Sequence, residues 1–285
     1  MTRISIGRLL AEATQRLDAA GIEQPGREAR LLLAQALGTD MAGLIRLGRE
    51  ALAESDRFEA LLARRCQREP MAFLLGSCGF WSLDLAVSEE TLIPRADSEA
   101  VIEAVLAAIP DRSRPLRVLD FGTGTGCLLL AVLSEYPAAT GFGIDLSPGA
   151  AALARRNAAS NGLGERAAFL CGSWDAAIDM TADLVLSNPP YIPEADLPSL
   201  MPEVRLFEPA RALDGGGDGL TAYRALVPAL HRLLAPNGLA VFEFGIGQAP
   251  AIASLATEAG LDVRAVRADL GGVDRAITLG WREKA

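Results

Sequence analysis

The chain reads as an α/β protein: an open, mostly parallel sheet covered by helices on both faces, with a helical bundle in front of it. Three observations predict this. From about residue 97 onward, short apolar strands alternate with helical stretches, as in strand–helix–strand units. Residues 1 to about 75 carry helical periodicity alone. Between them, residues 76–95 hold a few large apolar residues among small and polar ones, the composition of a β-hairpin. The expected segments are therefore a helical domain over 1–75, a hairpin linker over 76–95 and an α/β domain over 96–285.

In the first segment Ile6, Leu9, Leu10, Ala13 and Leu17 recur at helical spacing. Gly21 and Pro25-Gly26 punctuate the chain, and the stripe from Ala29 to Leu37 stops at Gly38. Leu44 to Leu47 and Phe58 to Leu62 predict two more helices, and Pro70 closes the region. Arg64, Arg65 and Arg68 read as a solvated helix face. Nothing here carries chemistry, so the segment is expected to serve substrate recognition or docking. In the linker Phe80, Leu83, Leu85 and Val87 supply the apolar side of the hairpin.

The third segment begins with the strand Arg117 to Phe121, which contains a carboxylate near its end. A glycine-rich turn and the helix Cys127 to Tyr136 follow. Gly141 to Asp145 is a second strand, again ending in a carboxylate, and Ser147 caps the next helix with Pro148 at its first position. Ala167 to Cys171, Asp183 to Ser187 and Leu239 to Phe244 are further strands. Val263 to Ala268 and Ala276 to Gly280 close the chain as an antiparallel pair. Ligands of such sheets bind at the carboxyl ends of the strands, near the point where strand order reverses.

Bulk properties narrow the function classes. A length of 285 residues suggests about two domains. With 50% hydrophobic and 22% charged residues, the chain is globular, not disordered. Its 27 basic residues face 36 acidic ones, a net charge of −9. That argues against a general nucleic-acid binder, which needs a basic face, and leaves room for a basic protein partner. Arg8, Glu12, Arg16 and Asp18 interrupt the amino terminus, so no signal peptide is expected. No uncharged apolar run approaches membrane-spanning length. Cys66, Cys78, Cys127 and Cys171 form no CxxC pair. Buried reduced thiols in a cytoplasmic protein are expected, with no metal site.

Three motifs carry the chemistry. Asp120-Phe121-Gly122-Thr123-Gly124-Thr125-Gly126 sits where the first strand of the sheet turns into its helix. Glycines there let the backbone approach a ligand, and free N–H groups at the helix start can bond one. The dinucleotide fingerprint is G-x-G-x-x-G; here the spacing is G-x-G-x-G after an acidic residue, which better fits a nucleoside bearing an amino acid. Asp120 then holds the amino-acid end. Asp145, at the end of the second strand, is placed to accept both ribose hydroxyls, although a strand-end aspartate can equally be a solvated cap. The third motif is Asn188-Pro189-Pro190-Tyr191, directly after the fourth strand of the sheet. Two prolines stiffen the loop and remove two donors. The Asn188 side chain and the carbonyls of Asn188 and Pro189 become acceptors for a planar NH₂ group, and Tyr191 offers a stacking face. A proline-stiffened turn with a buried tyrosine is the bland alternative.

Asn-Pro-Pro-Tyr at this place resembles the amino-methyltransferases of DNA adenine, RNA guanine and protein glutamine. Phe80-Trp81-Ser82-Leu83, Leu92-Ile93-Pro94-Arg95-Ala96-Asp97-Ser98-Glu99, Ser173-Trp174, Glu208-Pro209-Ala210-Arg211-Ala212-Leu213, Gly216-Gly217-Asp218-Gly219-Leu220 and Asp274-Arg275 narrow the likeness. Together they resemble the release factor glutamine methyltransferases, the protein-(glutamine-N5) methyltransferases of the HemK-like family, over nearly the whole chain. The resemblance implies a five-helix amino-terminal domain, a β-hairpin linker and a Rossmann-like class I S-adenosylmethionine methyltransferase sheet. It implies methylation of the glutamine in the Gly-Gly-Gln motif of peptide chain release factors, S-adenosylhomocysteine as product, and a monomeric enzyme in the cytoplasm without a stable nucleic-acid or membrane partner. Its cofactor contacts fall on Asp120, Gly122, Thr123, Gly124, Thr125, Gly126, Asp145, Trp174 and Asn188. Its substrate contacts fall on Asn188, Pro189, Pro190 and Tyr191, of which Asn188, Pro189 and Tyr191 are catalytic. The chain departs from the family at Phe121, Ala96 and Phe244, which read as packing changes.

Rival readings keep part of this. A DNA or RNA methyltransferase needs a basic groove and a flipped-base pocket. A nicotinamide oxidoreductase fits neither the glycine spacing nor the proline loop, and a non-enzymatic module would have no use for the acceptor residues. His231, the only histidine, has a surface or packing role. Arg95 faces either an anionic group or an exposed ion-pair partner.

Overall fold

The computed structural model describes residues 3–54, 56–174, 176 and 178–282; the outer bounds expected for the first and last segments, 1 and 285, lie outside them. The chain separates into two compact units, residues 1–77 with 201–207 and residues 78–200 with 208–285.

The first unit opens with β1 (Arg3–Ser5) and α1 (Ile6–Ala19), then α2 (Pro25–Leu37), α3 (Met41–Leu47), β2 (Leu52–Glu54), α4 (Asp56–Cys66) and α5 (Met71–Leu75). Ile6, Leu9, Ala13 and Leu17 form the buried stripe of α1, and with Leu32, Leu33, Phe58 and Leu62 they make one apolar core. Pro25 starts α2 without losing a bond, because the first N–H groups of a helix have no internal partner. Asp40 caps α3, its carboxylate accepting from the Gly43 N–H at 2.6 Å. The expectation of helices alone is corrected here: β1 and β2 pair antiparallel, Ile4 opposite Ala53. Three-residue strands are too short to show alternation.

The arginine expectation is corrected too. Arg65 is 6% exposed. Its guanidinium donates to Glu28 at 2.6 Å and to Glu203 at 3.1 Å, while Arg68 donates to Glu203 at 2.8 Å. Arg64 pairs with Glu69. The partners of Arg65 lie 37 and 138 positions away, so local spacing cannot reveal them.

The second unit begins within β3 (Ser77–Phe80), which with β4 (Leu83–Ala86) forms the expected hairpin. At its turn the Trp81 N–H donates to Glu99 at 2.9 Å and the indole N–H to Glu135 at 2.7 Å. A 3-10 turn, Ala96–Ser98, leads into α6 (Glu99–Ala108). There follow β5 (Arg117–Phe121), α7 (Cys127–Glu135), β6 (Thr140–Asp145), α8 (Pro148–Ser160), β7 (Ala167–Cys171) and β8 (Ala182–Ser187). The short helix α9 (Pro202–Phe207) belongs to the first unit. Then come α10 (Thr221–Leu233), β9 (Leu234–Glu243), α11 (Ala249–Glu258), β10 (Leu261–Ala268) and β11 (Asp274–Trp281).

The seven strands lie in the order β10-β11-β9-β8-β5-β6-β7, and β11 alone runs against its neighbours. Successive strand residues feed opposite cores. Val118, Leu184 and Val241 join α6, α7 and α8 on one face; Leu119, Val185 and Ala240 join α10 and α11 on the other. This is the doubly covered, mostly parallel sheet that near-continuous apolar strands require. The expected strand starting at Leu239 begins at Leu234, with an irregularity where Ala182 pairs with Leu234 and Leu184 with Leu239. The thiols differ from expectation: Cys66, Cys78 and Cys127 are half-buried and Cys171 is exposed, because β7 is an edge strand with Phe169 as its one buried residue. No helix among the described residues is long and apolar enough to cross a membrane.

Candidate active site

Strand order reverses at β5, with β6 on one side and β8 on the other. Register sets their carboxyl ends level: Phe121 lies opposite both Ile144 and Ser187. The Ser187 hydroxyl donates to the Phe121 carbonyl at 2.7 Å within the interior, tying the two strand ends together. The loops after β5, β6 and β8 therefore open into one cavity of ≈ 1050 Å³ including its mouth.

Asp120, Gly122, Thr123, Gly124, Thr125, Asp145, Trp174, Asn188 and Pro190 all line this cavity. Gly126, Pro189 and Tyr191 are not among its lining residues, although Pro189 and Tyr191 adjoin the lining residues Asn188 and Pro190 in the chain. The turn after β5 has φ of 69°, 55° and 84° at Gly122, Gly124 and Gly126, values that L side chains resist. It wraps Asp145 in place: the carboxylate accepts from the Gly124 N–H at 2.9 Å and from the Ser147 N–H at 2.9 Å. One bond to each oxygen fixes the plane and leaves a lone pair on each for a vicinal diol.

Asp120 is 1% exposed. Its Oδ2 accepts from the Thr123 hydroxyl at 2.6 Å, while Oδ1 has no partner. Burial pushes its pKa up to about 7, against the pull of the Thr123 bond. An unpaired buried carboxylate oxygen is costly until a donor or cation reaches it. The α-ammonium of an amino acid supplies both. Orphaned Asp120 and the diol acceptors of Asp145 thus fit the two ends of S-adenosylmethionine. Cys127 also lines the cavity, its thiol held protonated, with a pKa raised to about 12 by burial and then by Asp120.

Asn188 closes the other side. Its amide nitrogen donates to the Ser98 hydroxyl at 3.2 Å, so Oδ1 is the atom left for a ligand. Among the described residues no backbone N–H reaches the carbonyls of Asn188 or Pro189. Tyr191 is fixed from behind: its hydroxyl donates to Glu243 at 3.2 Å, and its carbonyl accepts from the Gln248 side chain at 2.9 Å. Arg95 lines the cavity but is paired with buried Glu208, which also accepts from the Ile93 N–H at 3.0 Å. His231 lies edge-on to Trp281 with ring centroids 5.1 Å apart, in a packing role.

Glu243, Gln248 and the rim carboxylate Glu90 were not singled out by sequence, and Ser98 was quoted only as part of the connector segment, with no site role. Glu90 accepts from the Ser147 hydroxyl at 2.7 Å and from Arg211 at 2.9 Å. Gln248 and Glu243 flank the strand-end glycine Gly245, which was the available signal for them.

Comparison with known proteins agrees with this architecture. Residues 8–76 match the model described as the PrmC N-terminal domain, and residues 98–228 match the methyltransferase small domain. The release factor glutamine methyltransferase of Rhodospirillum rubrum is 46% identical over 95% of this chain and 84% of its own. That of Bradyrhizobium diazoefficiens is 45% identical over 92% and 90%. A solved methyltransferase from Pyrococcus furiosus superposes with a TM-score of 0.53 at 15% identity, covering 79% of this chain and 98% of that one, a likeness of fold alone.

Proposed function

Because the chain belongs to the release factor glutamine methyltransferase family, we infer that it methylates the side-chain amide nitrogen of the glutamine in the Gly-Gly-Gln motif of peptide chain release factors. The observation that carries this reading is the Asn188 amide oxygen, turned away from Ser98 and sharing one cavity with Asp120 and Asp145. When bound, S-adenosylmethionine supplies an electrophilic methyl carbon and departs as S-adenosylhomocysteine. Asp120 holds its ammonium, Asp145 its ribose hydroxyls, and the glycine turn admits it closely; Trp174 stands beside this part of the cavity.

An amide nitrogen is a poor nucleophile because its lone pair is shared with the carbonyl. Asn188 Oδ1 and the Pro189 carbonyl accept hydrogen bonds from its two N–H groups, which orients the nitrogen and stabilises positive charge as it develops there; as the methyl leaves sulfur for nitrogen, one of these N–H protons is then lost to solvent. The prolines keep both acceptors in place without reorganisation. We propose a recognition domain over 1–75, a hairpin linker over 76–95 and a catalytic domain over 96–285, apart from residues 201–207, which belong to the first compact unit. We also place the enzyme in the cytoplasm, as a monomer, with a protein rather than a nucleic-acid acceptor.

The test is incubation with radiolabelled S-adenosylmethionine and three acceptors separately: purified release factor, DNA and ribosomal RNA. Label is expected on the release factor and lost when its Gly-Gly-Gln glutamine is replaced. Label on nucleic acid alone would overturn the assignment.

A further inference from the structure

The glycine turn after β5 is held from behind by one buried side chain of α8. Asn157 is 2% exposed, and its amide makes three hydrogen bonds. The nitrogen donates to the Thr125 carbonyl at 2.9 Å and to the Ala86 carbonyl at 3.0 Å; the oxygen accepts from the Ala86 N–H at 2.9 Å. A side-chain amide has two N–H donors, and both are taken. Its orientation is therefore fixed: turned over, it would set oxygen against two carbonyls and nitrogen against an N–H. Ala86 ends β4, so one side chain ties the hairpin to the turn. Asn161, one helical turn further on, donates to the Asp84 carbonyl at 3.0 Å and seats the same strand. Gly126 lets α8 come this close, since a Cβ there would stand 3.3 Å from the Ala154 Cβ and 3.2 Å from Leu130.

Thr125 carries the other half of the argument. Among the described residues its carbonyl has Asn157 as its one partner. Its hydroxyl oxygen is buried without a partner, in a residue that lines the cofactor cavity. A buried hydroxyl left unpaired is costly until a ligand bonds it. A β-branched side chain has little freedom of its own, so whatever fixes the Thr125 backbone also fixes where its hydroxyl points. We propose that Asn157 is a positioning residue for the cofactor: by holding the Thr125 carbonyl against α8 and β4, it keeps the Thr125 hydroxyl set as a hydrogen-bonding group for S-adenosylmethionine. The inference rests on the glycine turn holding the cofactor, as proposed above.

Asn157 reaches the ligand only through Thr125. Its loss should therefore weaken cofactor binding and leave the transfer step alone once cofactor is bound. Asn157→Ala leaves the Thr125 carbonyl unpaired. Asn157→Asp keeps the shape and the acceptor for the Ala86 N–H, but sets a second oxygen against the two carbonyls. A purely structural role predicts a different pattern. Loss of packing would lower the amount of folded enzyme, and with it the apparent kcat, at an unchanged cofactor Kd.

The experiment measures S-adenosylmethionine Kd by calorimetry, kcat on release factor at saturating cofactor, and Tm. The proteins are wild type, Asn157→Ala, Asn157→Asp, Thr125→Val and the double variant Asn157→Ala with Thr125→Val. Expected are a cofactor Kd raised about tenfold or more in each single variant and kcat at saturation within about threefold of wild type. The double variant should bind little worse than Thr125→Val, since both act through one hydroxyl. Arg166→Ala is the stability control. Its guanidinium donates to the carbonyls of Leu133, Tyr136 and Ala139 around the end of α7, so its loss should lower Tm with Kd unchanged. An unchanged Kd in the Asn157 variants, additive losses in the double variant or full affinity of Thr125→Val would overturn the proposal. If Asn157→Ala does not fold, the isosteric Asn157→Asp decides by the same Kd. A wild-type Kd in Asp145→Ala would sink the cofactor placement and this inference together; loss in Asp145→Ala with none in the Asn157 variants would sink the inference alone.

Discussion

Two side chains divide the labour at the cavity, and substitution should separate them. Asn188 touches the reacting nitrogen in the proposed complex, whereas the cofactor is held mainly by Asp120 and Asp145. Asn188→Ala should therefore lower kcat by about a hundredfold or more while moving cofactor Kd by about threefold or less, measured by methyl transfer and by titration calorimetry. Equal losses would count against the acceptor role. Asp120 is poised differently. Its pKa is raised to about 7, and a cationic ammonium favours the ionised form. Cofactor should bind more weakly as pH falls below 7, and Asp120→Asn should bind weakly at every pH. Calorimetry at pH 6 and pH 8 checks this; a steep pH dependence retained in the variant would refute it. Asp120 and Asn188 were legible because each lies within one residue of a strand's end and within two of a glycine or proline. Glu243 was not: a carboxylate at a strand end normally reads as solvated, and only the fold reveals that β9 runs through the sheet interior.

At the scale of elements, the proline loop is held by the segment 214–220 as much as by its own stiffness. Ile192 bridges to Asp214, and the Gly215 N–H donates to the Ile192 carbonyl at 2.8 Å. Gly219 has φ of +76°, and a Cβ there would stand 2.3 Å from the Tyr191 carbonyl oxygen and 2.4 Å from the Gln248 amide. Gly219→Ala should cost about 1–3 kcal/mol in urea denaturation and lower turnover by displacing Tyr191. Unchanged stability would show that the loop yields freely. Elements bounded by turns were readable: β5 and β7 fall on the expected residues. The pair β1 and β2 was not, since its order comes from pairing across about fifty residues. The salt-bridged Arg65 escaped notice for the same reason, its acidic partners being remote in the chain.

For the whole molecule, two buried carboxylates set a pH dependence of stability. Asp120 and Glu243 have ordinary values of 3.8 and 4.5 and are both raised to about 7 in the folded protein. The folded state therefore binds more protons than the unfolded one between these limits, and their contribution to stability declines as pH rises from about 4 to 7. Melting without cofactor should show Glu243→Gln gaining on wild type between pH 5 and pH 8. A constant difference in Tm would mean that Glu243 titrates normally.

The outermost strand has a consequence of its own. β10 forms one margin of the sheet, and a free margin offers a template on which another chain can add a strand. Val263 and Val266 are 38% and 42% exposed there, enough to seed such growth, but Arg264 and Arg267 are interleaved with them. Charge along an edge discourages a second copy from zipping on. Replacing both arginines with threonine should leave methyl transfer intact and make concentrated samples aggregate on gentle warming, visible as rising light scattering.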